Sequence, residues 1–176
     1  AESVQKKCSP ASLGIAHTRW ATHGAVTVSN THPHLSYDEK FVLVHNGVIE
    51  NFGALKRFLS DKGIDFASET DSEVLCNLIA FHYSELPEGE NRFVDAVRQA
   101  LPQCRGAYGI AVLCLDYPDT MIGARRGSPL VVGLGDEANF IASDASAFVG
   151  RAKEAVFLND GELAVLQAND FRITTL

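Results

Sequence analysis

The sequence predicts an α+β layered fold with largely antiparallel sheets. Three observations carry that reading. Two short, β-rich apolar segments come first, at 13–21 and 40–49. Amphipathic segments then sit together between residues 51 and 101. From Gly106 onward short apolar runs follow one another, separated by turn sequences. Helices grouped together and then many hairpin-linked strands give helices layered on antiparallel sheet, because a parallel strand pair needs a long crossover between its members.

The elements follow in order. "LGIAHTRWA" (13–21) and "KFVLVHNGVI" (40–49) are short and rich in β-branched or aromatic residues, as strands are. The segment between them, with Asn30 and Pro33, reads as a loop. Asn46-Gly47 is a strong turn dipeptide and is expected to end the second strand. Phe52, Leu55, Phe58 and Leu59 share a helical face, with Asn51 as N-cap and Gly63 as stop. In "SETDSEVLCNLIAFHYSE", Thr70 and Glu73 form a capping box, and Val74, Leu75, Leu78, Ile79 and His82 form the expected buried stripe. A third helix is expected over "NRFVDAVRQAL", 91–101, from Phe93, Val94, Val97 and Leu101. The strands after Gly106 are "AYGIAVLCL", "TMIGARR", "LVVGLG", "NFIAS", "AVFL", "LAVLQA" and "FRITTL", punctuated by "DYPD", "RGSP" and "NDGE".

At 176 residues, 46% of them hydrophobic and 21% charged, the chain fits one domain with a substantial core, not a disordered or coiled-coil protein. A net charge of -7 with no lysine/arginine run argues against nucleic acid as a partner. No apolar run reaches membrane-spanning length, and "AESVQKKCSP" has no signal-peptide core. A membrane partner is therefore not expected. Cys8, Cys76, Cys104 and Cys114 lack CxxC or metal-ligand spacing and read as free thiols of a cytoplasmic protein.

Polar residues gather at the ends of the early elements. "HTRWATHG" (17–24) puts Arg19, Trp20, Thr22 and His23 on or after the first strand. His45, Asn46 and Gly47 close the second, and Asp71 lies at the mouth of the second helix. Arg19 offers a fork for a carboxylate and Asp71 an acceptor pair for an ammonium. Together they form a clamp for a free α-amino acid. An Asn amide beside a Gly N–H supplies two donors for a developing oxyanion, which adds acyl transfer at that amino acid's side chain.

Each residue also has a plain structural reading. Asn46-Gly47 alone can be a hairpin turn, Asp71 a helix N-terminal charge, Arg19 a solvated or paired arginine, and Trp20 core. His17, His23 and His45 have the chemistry of metal ligands, but no carboxylate or cysteine stands at metalloprotease or zinc-finger spacing, so no metal is assigned. His32-Pro33-His34 reads as loop.

"GIAHTRWATHG", "NTHPH", "VHNGVIEN", "SETDSEV", "RGAYGIAV", "RRGSPLVVGLG" and "NFIASD" occur in the order found in one family. The chain resembles the glutaminase (class II glutamine amidotransferase) domain of isomerizing glutamine–fructose-6-phosphate aminotransferases, essentially from Gly14 to the C-terminus. Other class II amidotransferases share the Asn-Gly element but do not usually read "HTRWATHG" or "SETDSEV". The resemblance implies an N-terminal-nucleophile hydrolase fold, a four-layer αββα sandwich. It implies that Arg19 holds the carboxylate of L-glutamine and that residues 20–24 close over it as a lid. Asn46 and Gly47 would form the oxyanion hole, and Asp71 would receive the α-amino group. No cofactor or metal is implied. The implied partners are L-glutamine and a C-terminal sugar-isomerase domain that turns fructose 6-phosphate and ammonia into glucosamine 6-phosphate, in a cytoplasmic homo-oligomer.

The sequence departs from that family at one point. The family's nucleophile is an N-terminal cysteine followed by Gly-Ile, with its own α-amine as base. Residue 1 here is Ala, no CGI occurs, and Cys8 is followed by Ser9-Pro10. The chain is thus expected to be a partial glutaminase domain over 1–176, without its first strand and helix, with 1–12 as a flexible lead-in and no turnover of its own. The alternative is a nucleophile-less domain that binds and senses glutamine without cleaving it. A purely structural role leaves Arg19, Asn46 and Asp71 without an explanation.

Overall fold

The computed structural model describes residues 12–18, 25–168 and 170–176. Among the described residues the strands are β1 (His34–Leu35), β2 (Phe41–Ile49), β3 (Gly106–Cys114), β4 (Met121–Arg126), β5 (Val131–Leu134), β6 (Asn139–Ala142), β7 (Glu154–Phe157), β8 (Glu162–Leu166) and β9 (Phe171–Thr175). Three α-helices, α1 (Phe52–Asp61), α2 (Asp71–Glu85) and α3 (Arg92–Ala100), separate β2 from β3. The helices and the seven strands after Gly106 stand where the sequence puts them.

Strands β1-β2-β3-β4-β8-β9 form one sheet and β6-β5-β7 a second, smaller one. Every pairing between these strands is antiparallel. The helices cover one face of the large sheet. Leu75, Ile79, Phe93 and Val97 meet Leu43, Ile110, Val112 and Ile122 there in a continuous core. The small sheet covers part of the other face, where Leu130, Val132 and Leu158 meet Ala164 and Leu166 of β8. The sheets approach so closely at β4 that a Cβ on Gly123 would meet Ile141 Cδ1 at 2.7 Å. Phe148 packs against Gly133 and its ring stacks on Phe140 at 5.9 Å.

Several expectations need correction, among them the loop expected at 32–34, where His34 opens β1. Residues 13–18 form no strand, although their composition suits one. Sheet structure needs a partner in register, and among the described residues this segment pairs with no strand. Asn46-Gly47 does not end β2, because the ladder to β3 runs unbroken from Phe41↔Cys114 to Ile49↔Gly106. Gly47 supplies a positive φ (131°) inside the strand and not in a turn. A Cβ there would collide with the Ala107 carbonyl, so the close approach of β3 also demands glycine.

The remaining corrections concern the helices. Helix α2 has no single buried stripe: every residue from Asp71 to Ala80 is buried, while His82 is only partly so. The helix lies between the sheet and its two neighbouring helices, and its polar residues are buried because they bond to backbone. Asn77 Oδ1, for example, accepts the Tyr37 N–H at 2.7 Å. The capping box is only half formed. Thr70 accepts from the Glu73 N–H, but the Glu73 carboxylate turns to the N–H groups of Ala67 and Ser68, each at 2.7 Å. Similarly, Asn51 holds the N-cap position of α1 without capping it, and its amide clasps Gln103 O and Arg105 N at the approach to β3.

Candidate active site

The antiparallel register fixes which β2 side chains look away from the helices. Val44 pairs with Ala111 and Asn46 with Gly109, so these four share the face turned toward the small sheet. The small sheet does not fill all the space over that face. A cavity of about 630 Å³ remains, lined by Val44, Asn46, Gly109 and Ala111 on one side and by Phe140 and Ile141 on the other, with Ala16, His17 and Thr18 along its rim. Asn46 is exposed into it although it lies within a central strand.

The Asn46 amide is held in one orientation. His17 Nε2 lies 2.8 Å from Asn46 Oδ1, and since that oxygen can only accept, the imidazole donates. Among the described residues the Asn46 amide nitrogen has no protein partner. The His17 ring lies 4.1 Å from that of His32, whose ring meets that of His34 edge-on at 4.8 Å. His34 Nε2 in turn bonds Thr70 Oγ1 at 3.1 Å. Thus three imidazoles read from sequence as loop or possible ligands link β2 to the cap of α2. Their spacing in sequence (17, 32 and 34) gave no sign of this stack. Among the described residues no group of three or more His, Cys, Asp or Glu is arranged to hold a metal ion.

Asp71 is not part of the cavity wall. It is 2% exposed at the first position of α2, where the helix dipole favours its charge. Its Oδ2 accepts the Ile49 N–H at 2.8 Å and lies 3.9 Å from His45 Nδ1. His45 stands on the opposite face of β2 from Asn46, with Nδ1 3.0 Å from Ser72 Oγ. The structure therefore joins Asp71 to the far end of β2 and to His45, and it places Asn46 in the cavity. Gly47 lies between them along the strand, and a Cβ on it would reach Ser128 Oγ at 3.0 Å. Ser128 belongs to "RGSP", which the sequence presented only as a turn. Arg19, Trp20, Thr22 and His23, and with them the expected lid at 20–24, lie outside the described residues, as do Cys8 and most of the lead-in expected at 1–12.

The remaining cysteines are free and buried. Burial pushes the Cys76 thiol far up, Cys104 to about 12 and Cys114 to about 11, so none is a thiolate near neutrality.

A cavity between two stacked antiparallel sheets, with an orientated carboxamide on a central strand, defines the class, and comparison with known proteins agrees. The family of glutamine amidotransferase domains matches residues 4–171, and the chain belongs to that family. Over 94% of its length it is 47% identical to a glutamine–fructose-6-phosphate aminotransferase [isomerizing] from Chlorobaculum tepidum. It is 43% identical, again over 94%, to the enzyme of that name from Caldanaerobacter subterraneus. The chain spans about a quarter of the length of these curated relatives. Among solved structures, a glutamine phosphoribosylpyrophosphate amidotransferase from B. subtilis superposes with a TM-score of 0.71 at 26% identity, covering 90% of this chain and 34% of that one. A second, the allosteric regulatory enzyme of purine biosynthesis, gives 0.73 at 27%, with the same coverage.

The fold is that of an N-terminal-nucleophile hydrolase, an αββα sandwich. One of its helical layers and both of its sheets are present among the described residues. None of the described helices is long and apolar enough to cross a membrane.

Proposed function

We propose that this domain hydrolyses L-glutamine to glutamate and ammonia, and that the protein carrying it uses the ammonia to make glucosamine 6-phosphate from fructose 6-phosphate. The reading rests on one observation above the others: the Asn46 amide, held at its oxygen by His17, turns a hydrogen-bond donor toward the cavity. Such a donor is of little use to a ground-state amide but strongly favours the oxyanion of a tetrahedral intermediate.

In this mechanism a thiolate attacks the side-chain carbonyl carbon of glutamine. The electron pair of the C=O bond moves to oxygen, where the Asn46 amide and the Gly47 N–H stabilise it. The proton lost by the thiol passes to the amide nitrogen, and collapse of the intermediate breaks the C–N bond, expels ammonia and leaves a thioester. Water then adds to the thioester carbon, and the C–S bond breaks to give glutamate. Arg19 binds the α-carboxylate and Asp71 the α-ammonium, while Trp20, Thr22 and His23 belong to a loop that shuts water out. Cys76, Cys104 and Cys114 are neutral and buried, so the attacking thiolate is none of them. The domain works beside a sugar-isomerase domain of the same protein, in a cytoplasmic homo-oligomer.

The test compares two nitrogen donors in the complete natural protein. Asn46→Ala should lower glutamine-dependent turnover by about 10²–10³-fold, the usual cost of one oxyanion donor. Synthesis from free ammonia should be unchanged. Arg19→Ala should raise the glutamine requirement, again with no effect on ammonia. Equal losses with both donors would show that these residues serve folding. Glutamine binding without any ammonia release from the complete protein would replace hydrolysis by sensing.

A further inference from the structure

We infer that His17 is a positioning residue for Asn46, and that the His17–His32–His34 stack holds it in place. This rests on the reading of Asn46 as an oxyanion donor. A carboxamide is nearly symmetric in shape, and rotating it by half a turn exchanges its oxygen for its nitrogen. In the wrong orientation Asn46 would present a lone pair to a developing negative charge and repel it. Its donor must therefore be selected before the substrate arrives, because reorganisation during the reaction would consume much of the stabilisation.

His17 makes that selection. Its Nε2–H, 2.8 Å from Oδ1, fixes the amide oxygen on the rim side and leaves the NH₂ group for the cavity. The donation defines the tautomer, with hydrogen on Nε2 and a bare Nδ1. Among the described residues Nδ1 has no hydrogen-bond partner.

The imidazole comes from a segment without strand or helix, residues 13–18, so its position depends on what it packs against. The ring of His32 lies 4.1 Å away, and His34 meets His32 edge-on. His34, itself 4% exposed, is tied to Thr70 Oγ1. Thr70 caps α2, the helix that begins with Asp71. The stack therefore ties the amide on β2 to the helix end that carries the proposed ammonium acceptor, and both its ends are bonded, His17 to Asn46 and His34 to Thr70. A displacement of about 1 Å in such a group can cost about 10²-fold in rate, which is why a supporting shell is needed.

The experiment uses the complete natural protein, with glutamine and ammonia as alternative nitrogen donors. His17→Phe keeps an aromatic ring against His32 and removes the donor. It should lower glutamine-dependent kcat by about 10- to 100-fold with little change in KM for glutamine, because the affected contact forms only in the transition state. Ammonia-dependent turnover should not change. The near-isosteric pair His17→Gln and His17→Glu separates donation from bulk. Gln should recover kcat to within a few-fold, and Glu, with no proton to give, should not.

The decisive comparison is the double variant of His17→Phe with Asn46→Ala. If His17 acts through Asn46, the double variant is no slower than Asn46→Ala alone. Multiplied losses, a wild-type kcat in His17→Phe or His17→Glu, or equal impairment by Gln and Glu would each overturn the inference. Should His17→Phe fail to fold, the Gln/Glu pair and its combination with Asn46→Ala carry the same test. Full glutamine-dependent activity in Asn46→Ala would instead overturn the oxyanion reading on which this one stands.

Discussion

Asp71 and Ile49 join the start of α2 to the last residue of β2: the carboxylate Oδ2 accepts the Ile49 N–H at 2.8 Å. The bond gives Asp71 a structural duty in addition to the proposed capture of the α-ammonium, and two substitutions separate the duties. Asp71→Asn keeps an acceptor for Ile49 and loses the charge. It should raise KM for glutamine by about 10- to 100-fold, the size of a lost charge-assisted bond, and change stability little. Asp71→Ala should also destabilise the domain by about 1–3 kcal/mol, because the buried Ile49 N–H is left without its partner. Glutamine titrations and urea unfolding of both variants check this. An unchanged KM in Asp71→Asn would leave only the structural duty.

Gly47 carries a backbone requirement independent of any chemistry. Its φ of 131° is one that side-chain-bearing residues rarely adopt, and the Ala107 carbonyl occupies the place of a Cβ. Gly47→Ala should therefore cost about 2 kcal/mol or more in unfolding free energy, from strain together with displacement of β3. Gly63, also at positive φ but with open space around its Cβ position, gives the control. Gly63→Ala should cost less, about 1 kcal/mol. Equal losses at the two sites would mean that β3 yields freely.

Glu73 is buried with three donors on its carboxylate: the N–H groups of Ala67 and Ser68, at 2.7 Å each, and Ser68 Oγ at 2.5 Å. It fastens the loop before α2 onto the helix. Glu73→Ala should destabilise by about 3 kcal/mol, as removal of one side of a buried charged network does. Thr70→Ala, which removes a cap and the anchor of His34, should cost about 1–2 kcal/mol. Hydrogen exchange should then rise at residues 67–70 first. Unaltered protection there in Glu73→Ala would show that the loop is held by other contacts.

These cases show what the sequence could and could not display. The strands after Gly106 were legible because each is a short apolar run closed by a turn signal, and local chemistry decides both. Asn46-Gly47 misled for a related reason. The dipeptide signals a positive φ, but whether that φ serves a turn or a close approach within a sheet depends on β3, 60 residues away. The first apolar segment had the composition of a strand, and composition cannot supply a partner edge. Helix α2 hid its burial because Asp71, Glu73 and Asn77 look like solvent-facing positions until their backbone partners are known. Asn46 and Asp71 were legible as chemistry, and only the fold reveals that Asp71 is also bonded to the backbone at the end of β2. The partnership of His17 with Asn46 spans 29 residues and leaves no spacing signature.

Alkaline pH gives a last prediction, from Cys104. This thiol is 1% exposed, and burial raises its pKa from 9.0 to about 12, the nearby Arg126 pulling it back only in part. Below pH 9 the thiol is protonated in both the folded and the unfolded chain, and its stabilising effect is fully present. Between about pH 9 and 12 the unfolded chain releases the proton and the folded chain keeps it. Stability must then fall as pH rises, by at most about 1.4 kcal/mol per pH unit for this one group. Cys104→Ala removes the group from both states. The variant should be somewhat less stable at pH 8, since a well-packed sulfur is lost from the core, yet its stability should decline less steeply above pH 9.5. The two curves should converge by pH 11. Urea midpoints measured from pH 8 to 11 on both proteins decide the matter. Parallel curves would mean that the thiol ionises as readily in the fold as in the unfolded chain, and that the core around Cys104 admits water.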